Sequence, residues 1–186
     1  MSKLYIPRID IDRRIYDMSE DILKFYARNH PPVLKEGLVI VAVLKGAAYF
    51  AVDLSRALYS RGILTEMEYV GIKSYKGPST VSNNSPTMYL KPTRLLTGKH
   101  ILVVDDIADT CQTLYFLRTE LVNLHNPASI HSCVLLEKET EKACITTIAF
   151  RGFRIADVFV VGYGLDHDED YRYLQHIQEI DPKPNA

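Results

Sequence analysis

Ile101-Leu102-Val103-Val104-Asp105-Asp106-Ile107-Ala108-Asp109-Thr110-Cys111-Gln112-Thr113-Leu114 is the stretch that decides the fold. Four consecutive aliphatic residues suit a strand buried on both faces of a parallel sheet. Two adjacent carboxylates, Asp105 and Asp106, follow at its carboxyl end. Asp109 to Thr113 are short and mostly polar. Leu114, Leu117, Leu121 and Leu124 then recur at spacings of three, four and three, which is one face of a helix. The order is strand, acidic turn, helix N-terminus. Such a turn offers free backbone N–H groups and the positive end of a helix dipole to a phosphate. The carboxylates beside it can hold Mg²⁺ or the hydroxyls of a sugar. A phosphorylated sugar with a metal would satisfy both halves. The bland alternative is a strand-loop-helix whose acids are merely solvated.

A second unit of the same kind lies upstream. After Gly37, the run Leu38 to Leu44 is too short for a typical helix and rich in Val, so it reads as a buried strand. Lys45-Gly46-Ala47-Ala48 follows, and Phe50, Leu54, Ala57 and Leu58 recur at helical spacing up to Gly62. Gly46 lets backbone approach a ligand closely, and the turn's N–H groups could bind pyrophosphate. A plain strand-to-helix turn fits the same residues. Leu64 to Ile72 and Ser129 to Leu136 read as further strands, the first closed by Lys73-Ser74-Tyr75 and the second by Glu137-Lys138. The spacing predicts a helix over Asp17 to Arg28, opened by a capping-box-like Asp17 and Glu20 and ended by Asn29-His30-Pro31-Pro32. From 76 to 92 the composition turns to Gly, Pro, Ser and Asn, a long loop with room for a short hairpin. Strands alternating with helices predict an α/β fold, with a mostly parallel central sheet flanked by helices and ligands at the strands' carboxyl ends. Four such turns would place Lys45, Lys73, the loop from Asp105 to Thr113, and Lys138 on one rim.

The bulk numbers exclude several classes. The chain has 186 residues, 47% of them hydrophobic, enough for one well-buried domain. A net charge of −1 gives no general basic surface for nucleic acid. No apolar run reaches the length of a membrane span, and the first residues lack the apolar core of a signal peptide. Three cysteines, Cys111, Cys133 and Cys144, are odd in number and lack CxxC spacing. They argue against a disulfide framework or a zinc site and for a reducing, cytoplasmic setting. A last informative segment runs from Asp157 through Phe159-Val160-Val161-Gly162-Tyr163-Gly164-Leu165-Asp166 to Arg172: a strand, then a Gly-rich turn. Bare, its Phe159 reads as core.

Together these stretches resemble a known family. Strand, two acids, two aliphatic residues and Asp-Thr-x-x-Thr are similar to the phosphoribosyl-pyrophosphate (PRPP) signature of type I phosphoribosyltransferases, with Cys111 where that family has Gly. Leu44-Lys45-Gly46 and the segment from Phe159 to Asp166, with Arg172 six residues on, resemble the hypoxanthine-guanine branch. The likeness covers about residues 5 to 180. It implies one domain over 1–186, with a core at about 35–150 and a purine-binding hood from about 1–15 and 151–180. It implies a purine salvage reaction: hypoxanthine and guanine plus PRPP giving nucleoside monophosphate plus pyrophosphate. The implied cofactor is Mg²⁺, held by Asp105, Asp106 and Asp166. The implied PRPP contacts are Lys45, Gly46, Asp105, Asp106, Asp109, Thr110, Cys111, Gln112, Thr113 and Arg172. Asp109 is the implied catalytic carboxylate, at purine N7. Lys138, Phe159, Val160 and Asp166 are the implied purine contacts, and Ser74 and Tyr75 open the implied closing loop. The resemblance also implies a cis Leu44–Lys45 peptide and a homodimer or homotetramer. Three alternatives stay open: a PRPP-binding regulator of the same fold, a catalytically inactive paralogue, and an unrelated α/β module that uses only the Asp pair.

Overall fold

The computed structural model describes residues 3–74, 86–140 and 144–181. In chain order the elements are β1 (Lys3–Ile6), α1 (Arg8–Asn29), α2 (Val33–Glu36), β2 (Leu38–Leu44), α3 (Ala48–Ser60), β3 (Thr65–Ser74), β4 (Pro86–Leu90), β5 (His100–Ala108), α4 (Gln112–His125), β6 (Ser129–Lys138), β7 (Phe150–Ile155), β8 (Val160–Val161) and β9 (Ile177–Glu179). Six strands form one sheet in the order β4-β3-β2-β5-β6-β7. Its pairs are parallel except β3 with β4. This is the expected α/β architecture. The central strands are aliphatic throughout because both faces are covered. Ile40, Ala42, Leu102 and Val104 point into the core under α1 and α3. Val39, Val41, Val43, Ile101 and Val103 point into the core under α4.

A second, three-stranded antiparallel sheet, β1-β9-β8, brings the first and last strands together. It is the small hood, and most of its chain is turn rather than strand. The expected strand from Asp157 shrinks to Val160–Val161, because Gly162, Tyr163 and Gly164 all take positive φ and break the ladder. The large sheet also reaches past the expected limit of the core at 150: β7 extends it beside β6.

Other local expectations need correction. The helix expected from Asp17 begins at Arg8, after Pro7, whose carbonyl accepts the Asp10 and Ile11 N–H groups. Its buried stripe is Ile11, Ile15, Met18, Ile22 and Tyr26, so Asp17 sits mid-helix rather than at a cap. β5 runs on through Asp105 and Asp106 to Ala108 instead of ending before them. Leu124 is exposed, and the buried face of α4 is Leu114, Leu117 and Leu121. β3 turns back into β4 rather than into a helix, and Lys73 lies over the Tyr89 ring at 4.9 Å. The cysteines do form a disulfide, Cys111 with Cys144, their Cα atoms 5.3 Å apart. Tyr75 and most of the 76–92 loop lie outside the described residues; Pro86–Leu90 supplies one arm of the hairpin. Among the described residues, no helix is long and apolar enough to cross a membrane.

Candidate active site

The acidic strand end carries the strongest electrostatic anomaly. Asp105 is 5% exposed, and its neighbour Asp106 is half-buried. Backbone N–H groups are their hydrogen-bond donors: Asp106 N donates to Asp105 Oδ1 at 3.1 Å and Ile107 N to Asp106 Oδ1 at 3.0 Å. Burial and the adjacent Asp106 charge push Asp105 well above the usual carboxyl range. Burial also raises Asp106, against the pull of its hydrogen bonds and of Arg172. A cation placed here would favour the charged form of both groups.

Two strand-to-helix turns flank this pair. Beyond β5 the chain turns at Cys111, whose φ of 59° is left-handed, and α4 starts without a side-chain cap. Its first N–H groups therefore have no side-chain acceptor. The Leu44–Lys45 peptide is cis, as the resemblance implied. Next to it, Gly46 is required by packing: a Cβ there would overlap the Asp106 carboxylate. A Cβ on Gly164, at φ +103°, would overlap the Gly46 carbonyl oxygen. The hood thus rests directly on the backbone of the turn after β2. It is anchored from behind by Tyr163, whose hydroxyl donates to Asp53 Oδ2 at 2.7 Å, an oxygen also paired with Arg8 at 2.9 Å.

Asp106, Ile107, Asp109, Lys138, Phe159, Val160, Leu165 and Asp166 line one cleft of about 270 Å³. Six of these eight were expected from the sequence. Phe159 is 37% exposed, its ring edge-on to His167 at 5.4 Å, so it is a cleft wall rather than core. Asp109 is exposed in the cleft. The cations are not idle. Lys138 Nζ sits 2.8 Å from Asp157, Lys45 Nζ 2.8 Å from Glu169, and Arg172 2.7 Å from Asp166. Arg172 also donates to the Gly164 carbonyl at 2.7 Å. Thr110 and Thr113 are half-buried and Gln112 is exposed around the start of α4. Cys111 turns away into the apolar cluster with Leu114 and Leu117. Ser74 ends β3, and Tyr75 is outside the described residues.

Asp157 and Glu169, the carboxylates that hold Lys138 and Lys45, were not foreseen. A cluster of acids at 166–170 was the only sequence signal for Glu169, and Asp157 had none. A larger cavity of about 760 Å³ opens at the amino ends of β2 and β3 beside Gly37, Arg56, Tyr59 and Leu64, away from every residue above.

A model of the phosphoribosyl transferase domain matches residues 8–168. The chain belongs to the phosphoribosyl transferase family. The hypoxanthine-guanine phosphoribosyltransferase of Mycobacterium tuberculosis is 37% identical over 173 residues, covering 93% of this chain and 83% of that protein. A solved Trypanosoma cruzi hypoxanthine phosphoribosyltransferase superposes with TM-score 0.86 at 32% identity, covering 97% of this chain and 91% of the other. The Leishmania donovani (L. donovani) hypoxanthine-guanine phosphoribosyltransferase superposes with TM-score 0.87 at 27% identity, covering 98% and 97%.

This phosphoribosyltransferase is an enzyme whose carboxylates suit a hard, oxygen-seeking cation. Asp105 is buried beside the half-buried Asp106; each accepts a backbone N–H, the two side chains interact with each other, and Arg172 is the positive group that pulls on Asp106. The adjacent carboxylates fit Mg²⁺, which takes one or two carboxylates and completes its shell with water and substrate phosphates.

Proposed function

We propose that this phosphoribosyltransferase joins hypoxanthine or guanine to the ribose C1 of PRPP, releasing pyrophosphate. The observation that carries this reading is the single cleft in which Lys138 and Phe159 face Asp106 and Asp109. In the reaction the bond from C1 to the pyrophosphate oxygen breaks early and positive charge builds on the ribose. Asp105 and Asp106 hold the ribose hydroxyls, directly or through the cation. The start of α4, with Thr110 and Thr113, takes the 5′-phosphate through N–H and hydroxyl donors. Purine N9 attacks C1 while Asp109 contacts N7 and accepts its proton. Lys138 donates to purine O6, which selects 6-oxopurines because a 6-amino group would set donor against donor. Phe159 stacks on the base and the Val160 carbonyl accepts from its pyrimidine ring.

Lys45 and Arg172 lie on the pyrophosphate side and exchange Glu169 and Asp166 for the leaving group. Mg²⁺, when bound at Asp105 and Asp106 and on the other side at Asp166, supplies charge neutralisation to the departing pyrophosphate. Excluding water protects the electron-poor ribose, and Ser74 and Tyr75 open the segment assigned to that task. We place the protein in the cytoplasm as a homodimer or homotetramer, to be checked by light scattering on the purified protein.

The test is incubation with PRPP, Mg²⁺ and each base separately, with nucleotide read by chromatography. Nucleotide from hypoxanthine or guanine, and none from adenine, is the expected result. Adenine use would overturn the Lys138 assignment. PRPP binding without any nucleotide would instead favour the regulator or the inactive paralogue.

A further inference from the structure

We propose that Cys111 and Cys144 form a reversible redox modification site that sets how the start of α4 is shaped for the PRPP phosphate. The proposal rests on the reading of that loop as the 5′-phosphate site. Three observations carry it. First, Cys111 holds φ 59° and ψ 12°, a left-handed conformation that L side chains rarely adopt, at the residue that opens α4. No side-chain hydrogen bond fixes it there. Such a conformation persists only when its surroundings impose it, and the bond to Cys144 is the covalent part of those surroundings. Secondly, the bridge spans 33 residues of sequence and ties together the two loops that follow β5 and β6, strands that each send a residue into the cleft. Cys111 belongs to the loop after β5, and Cys144 to the connection that leaves β6 just beyond Lys138. Thirdly, the two sulfurs differ in access. Cys111 is 4% exposed within the cluster of Leu114, Leu117 and Ile148. Cys144 is half-buried, and its Sγ lies 3.0 Å from the Thr146 carbonyl, an acceptor in place for the S–H of a reduced thiol.

The chemistry is thiol–disulfide exchange with a low-molecular-weight disulfide such as oxidised glutathione. The Cys144 thiolate attacks one sulfur of the small disulfide, forming a mixed disulfide and expelling one thiolate. The Cys111 thiolate then attacks the Cys144 sulfur and expels the second. The protein loses two electrons and two protons; the small disulfide gains them as two thiols. An excess of a small dithiol reverses the sequence. In the bridged form Cys111 is pinned left-handed, and the N–H groups of Gln112 and Thr113 stay aimed at the phosphate. In the reduced form Cys111 is free to return to negative φ, and the cradle loosens. Cys133, fully buried in the β6 core with its thiol pushed up by burial, stays out of this exchange and serves as an internal reference.

The test uses the full chain equilibrated with oxidised glutathione or with dithiothreitol and then desalted. Alkylation under denaturing conditions followed by mass measurement should count one free cysteine in the first form and three in the second. The KM for PRPP should rise about fivefold or more on reduction, the scale of losing an imposed backbone conformation, while kcat moves less. Cys144→Ser should show the weaker PRPP KM in both conditions. Cys111→Gly, free to take positive φ without a bridge, should lose the response to redox state. Three free cysteines after glutathione treatment, or equal PRPP KM in the two forms, would overturn the proposal. If neither form makes nucleotide, the transferase reading fails, and equilibrium binding of PRPP to the two forms then decides the redox site by itself.

Discussion

The two ends of the parallel strands both bury titratable groups, and they treat them in opposite ways. At the carboxyl ends, Asp105 and Asp106 accept backbone N–H groups and are pushed toward their neutral form. At the amino ends the His30 ring lies 5.4 Å from His100 and 5.3 Å from His131, in a cluster walled by Phe25, Tyr26 and Phe150. There His131 Nδ1 meets the Tyr26 hydroxyl at 3.2 Å and His100 Nδ1 meets Ser129 Oγ at 2.8 Å. Burial and the neighbouring His30 push His131 down to about 4 and lower His100. The His100 and His131 rings are held toward the neutral form, packed and partnered, which is how a buried polar group serves stability. At the other end burial outweighs the backbone N–H groups and the pull of Arg172 on Asp106, and a carboxylate pair perturbed in that way is the kind that serves chemistry. Burial alone does not separate the two cases; how fully the group is partnered does.

Four substitutions sharpen or break that contrast. Asp109→Asn should keep PRPP binding and the melting temperature but lower kcat by roughly a hundredfold or more, the usual scale for losing a proton acceptor. Wild-type turnover in this variant would remove Asp109 from the chemistry. Lys138→Ala should raise the KM for hypoxanthine by about tenfold or more, the scale of a lost charged hydrogen bond in a buried site. The PRPP KM should change much less, and an unchanged purine KM would reject the O6 assignment.

At the other end the effects belong to stability rather than rate. The unfolded chain takes a proton on His131 near pH 6.5, whereas the folded protein refuses it down to about 4. Stability therefore falls as pH drops through that window. His131→Gln should flatten this part of the denaturation profile, His100 supplying the remainder, with kcat/KM at neutral pH unaltered. A profile as steep as wild type would mean that His131 is not the group responsible. Tyr26→Phe is the mildest: loss of one neutral hydrogen bond, about 1 kcal/mol in urea titration, with no kinetic change. A kinetic effect would show that the two ends of the strands are coupled.

The same contrast explains what could be read beforehand. Leu38–Leu44 and Ile101–Val104 announce themselves because strands covered on both faces must be apolar at every position. The turns behind them were legible through Gly46 and the Asp pair, residue types that a ligand-binding strand end needs. β7 was missed because it is an edge strand. Its sequence mixes Phe150 and Phe153 with Arg151 and Arg154, and Gly152 is there because a Cβ would overlap the Leu135 carbonyl. The true start of α1 was hidden by Asp10, Asp12, Arg13 and Arg14, although Ile11, Ile15 and Met18 already traced its buried stripe. Contacts between distant segments left no mark at all. Nothing near Cys111 names Cys144, and nothing near Lys138 names Asp157, because long-range pairing depends on topology rather than local pattern.

The pairing of β1 with β9 bears on how the protein comes off the ribosome. Lys3–Ile6 emerges first but cannot find its neighbour until Ile177–Glu179 has been made. The strand pairs from β2 to β7 can close well before then, since domains form as their parts appear. A nascent chain halted at β7 would therefore carry the β5 acids and both strand-to-helix turns without the wall formed by Phe159 and Val160. On the proposed reading, the sugar-phosphate side of the cleft would arrive during synthesis and the base side only near its end.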